Sequence, residues 1–470
     1  MAATQPVVKT IAVIGAGPSG IAAAKYLVSE RTFSKLTVFE QRSNAGGIWN
    51  TDFRSSPADS MAFPSPIYHD MESNIPSEIM QYYNRPFPDS DPLLPGAGLV
   101  LEYLRDYASE VLPHVHMRFG HRVVAVTPAV TNECTHWTMV VEDVNTGSII
   151  RESYDAVVVA NGRYNKPYMP DVHGLDNWKQ SYPDSVMHSK FYRDAKMFKD
   201  KKVVIVGFSS SGVDIANAIE PVCSKPLLIS QNSTNGLSPG SKGFQEGKTM
   251  LPGIIEFDSR RKAITFADGR EETEVDHIIF CTGYDYDYPF LSSLPGFEEG
   301  NGDGNIRTYQ HIFHVDYPTL AFIMLPLRAV AFPFAETQSA VVARVWSGRL
   351  QLPVHREMQN WIEKNMQERG RGKRFHMLSW PADAEYMNAM YSWCQQARAE
   401  KGGGYLVPPF WGEKEKWLRR TLHEIRRATE AQGEARFLIK TVAQAGFHFP
   451  GEEPKVDAAM VTPPSWIKDE

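Results

Sequence analysis

A chain of 470 residues has room for two or three domains, and its 42% apolar and 22% charged residues exclude a disordered or fibrous class. The formal charge of −6 lacks the basic surplus that nucleic-acid binding leaves. Cys134, Cys223, Cys281 and Cys394 share no metal or redox spacing, and no run approaches the roughly 18 apolar residues of a membrane span. Met1 to Lys9 also lacks the apolar core of a signal peptide. The expectation is a cytoplasmic protein with no nucleic-acid partner, no membrane association and no metal.

Val8 to Ile14 is a short apolar run suited to a buried parallel strand, and it meets Gly15-Ala16-Gly17-Pro18-Ser19-Gly20. Ile21 to Ser29 has helical spacing, and Leu36 to Phe39 reads as a second strand ending at Glu40. In such a unit Gly15 permits the tight turn and Gly17 lets backbone approach a pyrophosphate. Gly20 allows close packing of helix on strand, and the helix N-terminus offers amides to the anion. Glu40 stands where a carboxylate accepts hydrogen bonds from ribose hydroxyls. A few residues on, Gly46-Gly47-Ile48-Trp49 combines two permissive glycines with a tryptophan that can cover a ring. Asn74 precedes Ile75-Pro76-Ser77-Glu78, and by local pattern alone it is a helix-entry residue.

Tyr154 to Ala160 reads as a further strand and leads into Asn161-Gly162. Lys166-Pro167-Tyr168-Met169-Pro170 is stiff and suits a connector between domains. His188 is a lone histidine, a type more often structural than a proton shuttle. Val203 to Val206 then repeats the opening pattern. Gly207-Phe208-Ser209-Ser210-Ser211-Gly212 follows it, with an apolar helical face over Val213 to Ile219 and a strand over Leu227 to Ser230. Ser209 replaces the middle glycine of this second loop. No arginine for a 2′-phosphate stands after the next strand, where the residues are Gln231-Asn232-Ser233. Lys225 and Lys242 are the cations left to reach that phosphate. Asp276 to Phe280 reads as a strand leading into Cys281-Thr282-Gly283-Tyr284. The part after Gly348 is helical and charged. The fold class expected is α/β, with two Rossmann-like dinucleotide-binding domains, the smaller inserted into the larger.

Taken in order, these motifs resemble the flavin-containing monooxygenases, and especially the soluble yeast and fungal type. Gly15 to Gly20 matches the family's Gly-x-Gly-Pro-Ser-Gly, and Gly46 to Trp49 its Gly-Gly-x-Trp. Tyr182, Asp184, His188 and Tyr192 match the fingerprint Phe-x-Gly-x-x-x-His-x-x-x-Tyr, with Tyr for Phe and Asp for Gly. Asp276 to Tyr284 resembles Asp-x-x-x-Leu-Ala-Thr-Gly-Tyr, with Phe280 and Cys281 substituted. Val345 to Leu350 and Trp411 to Lys414 are also similar to the yeast branch.

The resemblance implies an FAD domain over residues 1–171 and 285–470, interrupted by an NAD(P) domain over 172–284. It implies FAD and NADPH as cofactors, with NADH as the alternative. Around FAD it implies Gly15, Ala16, Gly17, Pro18, Ser19, Gly20, Glu40, Gly47, Ile48, Trp49, Ile75 and Val123. Ser73 is implied beside the nicotinamide, and Gly207, Ser209, Ser210, Ser211, Gly212, Val213 and Asp214 beside its pyrophosphate. Asn74 is implied as the catalytic residue, touching flavin and nicotinamide, which replaces its local reading as a helix-entry residue.

The implied reaction passes through a C4a-hydroperoxyflavin, which oxygenates a nucleophilic nitrogen or sulfur. Its partners are then oxygen and a small amine, alkaloid or thiol, and a homodimer is compatible with all of this. A Baeyer–Villiger monooxygenase shares the two-loop plan, but its fingerprint ends in Trp where this chain has Tyr192. A disulfide reductase requires a Cys-x-x-Cys that is absent. A flavin-binding protein without turnover is the alternative of another class.

Overall fold

The computed structural model describes residues 8–51, 63–130, 135–232, 247–297, 302–398 and 406–451. The chain forms two compact units, one from Met1–Asn50, Asp70–Arg163 and Tyr286–Glu470, the other from Thr51–His69 and Tyr164–Asp285.

In the larger unit, Thr10–Ile14 is an interior strand of a seven-stranded sheet. It pairs in parallel with Lys35–Glu40 on one side and Ala156–Val159 on the other. Outward from these lie His116–Phe119 at one edge, and Leu320–Phe322, Phe313–His314 and Thr308–Tyr309 toward the other. Both faces of this strand are buried, which explains its unbroken apolar run. Ile11 and Val13 join a core containing the helices Pro18–Ser29 and Ala331–Trp346. Ala12 and Ile14 face the opposite way, among Val126, Trp137, Met139 and Phe322. The antiparallel strands His121–Val130, Thr135–Asp143 and Ile149–Tyr154 cover that second face.

In the smaller unit, five parallel strands run in the order Lys248–Leu251, Leu227–Ser230, Val203–Val206, His277–Phe280, Val186–His188. The same alternation recurs. Val203 and Ile205 pack toward the helix Ser210–Ile219, and Val204 toward Trp178, Phe257 and Phe266. Lys166–Pro167 pairs antiparallel with Tyr284–Asp285, so the proline-stiffened connector is the first strand of this unit and meets its last. The segment Thr51–His69 also belongs here, with Tyr68 set edge-on to Tyr192 at 5.1 Å. After Gly348 come the helices His355–Arg369, Ala382–Cys394, Glu413–Arg420 and Leu422–Glu430.

Candidate cofactor and active site

Gly15 has φ +101°, and its amide donates to the carbonyl of Phe39 at 2.7 Å, which turns the chain sharply off the strand Thr10–Ile14. A Cβ on Gly15 would lie 2.6 Å from the Ala160 carbonyl oxygen. On Gly20 it would lie 1.8 Å from the Gly15 carbonyl oxygen, so the helix meets its strand at backbone distance. Gly17 is extended and needs no left-handed backbone; its demand is proximity, since its Cβ would sit 3.4 Å from Gly47 Cα. Gly46 binds back by donating its amide to Ala16 O at 2.9 Å. The Gly47–Trp49 turn thus lies directly on the first loop, with Trp49 half-buried against the helical core. Pro18 opens the helix, Ser19 is half-buried beside it, and the Pro18 carbonyl accepts the Tyr82 hydroxyl at 2.8 Å.

Glu40 is buried at the end of its strand. Its Oε2 accepts the Ala16 amide at 2.8 Å and its Oε1 the Arg42 amide at 2.9 Å. Burial pushes this carboxyl up, and the two amide bonds oppose that push. Each oxygen keeps a further lone pair. The combination of a glycine turn, open helix N-terminus and anchored carboxylate fits a dinucleotide. Val123 is buried in the same core as Ile14 and Phe39, at a register shift in its strand.

Ser73, buried, accepts the Ile75 amide at 3.1 Å and donates to the Ile75 carbonyl at 2.8 Å, fixing the turn that carries Asn74. The short helix Ser77–Met80 is preceded by Pro76 as its capping position, without a side-chain cap. Asn74 therefore does not cap it. Its amide group, half-exposed, makes no hydrogen bond to another described residue. The local helix-entry reading of Asn74 is overturned by this geometry, because the proline's extended backbone pushes the helix start past it.

The second loop repeats the first. Gly207 has φ +92° and donates its amide to Ser230 O at 2.8 Å, while a Cβ on Gly212 would stand 2.2 Å from Gly207 O. Ser209 is extended, so its place demands no glycine backbone. Ser209, Ser210 and Ser211 are exposed around the helix N-terminus, and none caps it. Their hydroxyls make no hydrogen bond to another described residue, a cluster of free donors suited to a phosphate. Val213 and Asp214, half-buried, follow in the first turn. Lys225 does not reach this end. It precedes the strand Leu227–Ser230, at the amino edge of the sheet, and bonds Glu220 through its ammonium. Lys242 and Ser233 lie outside the described residues.

His188 is structural. Its Nε2 donates to the Gly283 carbonyl at 2.9 Å and its Nδ1 accepts the Lys190 amide at 3.1 Å, which fixes a neutral ring. Burial lowers its pKa to about 4. Cys281 is buried near Gly212, its thiol pushed up to about 12, and is not a nucleophile.

Two features of the larger unit carried no sequence signal. Glu336, 2% exposed within Ala331–Trp346, accepts the Tyr83 amide at 2.6 Å and the Tyr107 hydroxyl at 2.8 Å. Tyr82 stacks on Tyr107 with centroids 3.8 Å apart. The Tyr82 hydroxyl ties the segment after Asn74 to Pro18, and the Tyr83 amide seats it against the buried helix Ala331–Trp346. The other feature is the segment Met324–Val330, between the strand Leu320–Phe322 and that buried helix.

A family model described as flavin-binding monooxygenase-like matches residues 8–247 and 245–396. The flavin-containing monooxygenase FMO GS-OX-like 2 of Arabidopsis thaliana is 32% identical over 410 residues, covering 83% of this chain and 86% of its own. The thiol-specific monooxygenase of Saccharomyces cerevisiae is 30% identical over 349 residues, covering 72% and 77%. Among solved structures, the S-allyl-L-cysteine S-oxygenase from Allium sativum superposes with a TM-score of 0.75. It is 27% identical, covering 92% of this chain and 96% of its own.

Proposed function

Because the chain belongs to the flavin-binding monooxygenase-like family, we propose that it oxygenates a small thiol or thioether at sulfur, using FAD, NADPH and oxygen. Small molecules with a nucleophilic nitrogen are the alternative targets. The supporting observation is that two relatives covering most of their own length are named for sulfur substrates. One oxygen atom enters the substrate, the other leaves as water, and NADPH supplies the two electrons.

When bound, FAD and NADPH supply the electron transfer and oxygen activation. The chain's own groups bind and orient. In the larger unit the amides and helix N-terminus over Gly15 to Gly20 hold the FAD pyrophosphate, and Glu40 accepts from the ribose. Gly47, Ile48, Trp49, Ile75 and Val123 line the same cofactor. In the smaller unit Gly207 and Gly212 let backbone approach the NADPH pyrophosphate, with Ser209, Ser210 and Ser211 donating hydroxyls and Val213 and Asp214 behind. Ser73 holds the turn in place, and Asn74 presents an uncommitted amide to flavin and nicotinamide.

The test is NADPH oxidation, oxygen uptake and product analysis on the flavin-loaded protein, with panels of thioethers, tertiary amines and cyclic ketones. Sulfoxide formed in step with NADPH supports the proposal, and NADH in a parallel arm sets the coenzyme preference. Amine oxide alone moves the target to nitrogen. A lactone from the ketone panel would replace the proposal with the Baeyer–Villiger reading, and no NADPH-dependent turnover with any panel would sink it.

A further inference from the structure

The strand Leu320–Phe322 runs parallel to Ala156–Val159, so the segment after it leaves from the same carboxyl edge as Gly15 and Asn161. That edge is where open α/β sheets take ligands. Five consecutive carbonyls of this segment are held. Arg163 Nη1 donates to Met324 O at 2.7 Å and to Pro326 O at 2.8 Å. The Tyr286 hydroxyl donates to Leu325 O at 2.5 Å, the Leu378 amide to Leu327 O at 3.1 Å and Arg419 Nη2 to Arg328 O at 3.0 Å. The Met324 amide is also fixed, donating to Gln338 Oε1 at 2.8 Å.

Within this clamp Met324 has φ +67° and Arg328 φ +65°, a left-handed backbone that favours glycine. Strain held by surrounding contacts points to function. Arg328 nevertheless carries a long charged side chain there. Two neighbouring guanidinium groups are already engaged, Arg163 on carbonyls and Arg419 on a carbonyl and on buried Asp383 at 2.6 Å. The Arg328 guanidinium is exposed and makes no hydrogen bond or ion pair with another described residue. A planar fork of donors on a rigid backbone suits bidentate capture of a carboxylate.

We propose that Arg328 binds a carboxylate on the substrate, so that the preferred thioethers are amino-acid-like. This rests on the sulfur-oxygenating function proposed above. The Arg328→Gly variant removes the side chain while relaxing the left-handed backbone, so folding is not put at risk. Arg328→Lys keeps the charge but loses the fork. The probes are S-methyl-L-cysteine and 2-(methylthio)ethylamine, which differ by the carboxylate alone.

The wild-type holoenzyme should favour the acid in kcat/KM, mainly through KM. Arg328→Gly should lose roughly ten- to a hundredfold on the acid and about nothing on the amine, with Arg328→Lys between. Equal rates on both probes in the wild type would overturn the assignment and leave sulfur oxygenation standing. An equal loss on both probes, or a lowered flavin-to-protein ratio, would place Arg328 on the cofactor and overturn it too. Turnover of neither probe overturns the Arg328 assignment, while sulfur oxygenation itself is decided by the broader panels above.

Discussion

Asn74 sits in a turn fixed by Ser73, ahead of a helix it does not cap, and its amide bonds no other described residue. An amide that can donate and accept is useful there only to something outside the chain. Asn74→Asp keeps size and acceptors but loses the donor. It should leave the flavin-to-protein ratio unchanged and lower product per NADPH on the order of a hundredfold, read by product analysis against NADPH oxidation. Full coupling in that variant would remove Asn74 from the mechanism. Local pattern alone misread this residue, because the dipeptide Ile75-Pro76 delays the helix. The role implied for it by the family resemblance is what the Asn74→Asp variant tests.

Glu336 makes a different prediction at the same scale. Burial pushes its carboxyl from its ordinary 4.5 up to about 7, against the Tyr83 amide, the Tyr107 hydroxyl and the charge of Lys25. A carboxyl raised in the fold favours the native state below its unfolded pKa, and that contribution is lost as pH rises through the folded value. Between pH 4.5 and about 7 the wild type should therefore lose about 3 kcal/mol relative to Glu336→Gln. Urea midpoints of both proteins on either side of that window check this. Parallel pH profiles would show that Glu336 ionises freely.

The elements show why the glycine loops were legible. Gly15 and Gly207 are forced by left-handed backbone, and Gly20 and Gly212 by a carbonyl in the way. Such demands print themselves on sequence. Ser209 is equally explicable: its place is extended, like that of Gly17, so a Cβ there strains nothing. The two kinds of glycine should fail differently. Gly20→Ala drives a methyl into the Gly15 carbonyl and should lower both stability and flavin content. Gly17→Ala meets only Gly47 at contact distance, and should fold with a normal urea midpoint yet purify with little flavin. A fully yellow Gly17→Ala protein would dismiss the pyrophosphate role.

The helix Ala331–Trp346 was not legible. It is buried from Phe332 to Trp346, so no polar face gives it a period, and Glu336 hides within it. Lys225 was misplaced for a topological reason: a residue before a parallel strand lies at the edge opposite the loop. Sequence order alone does not distinguish the two edges.

Across the whole molecule, contacts join parts of the chain far apart in sequence. Arg349 forks onto Glu30 with both bonds at 2.7 Å, and both side chains are buried. Removing one partner strands the other charge, so Glu30→Ala should lower stability by about 3–5 kcal/mol, read as a lower urea midpoint. A change within error would mean that water reaches Arg349 in the variant. The assignment of Thr51–His69 to the smaller unit was invisible because that segment carries no strand or helix periodicity. The two parallel sheets were visible because each contains a strand, glycine loop and helix in direct succession.

The interleaved chain also sets an order of events during synthesis. All five strands of the smaller sheet have left the ribosome once Phe280 is out. At that moment Ala156–Val159 still lacks one neighbour, because Leu320–Phe322 has not been made. The nascent protein therefore holds every strand of its smaller parallel sheet before it holds every strand of the larger one. On the binding proposed for Gly15 to Gly20, free FAD arriving early would find its glycine turn present but the sheet behind it open on one flank.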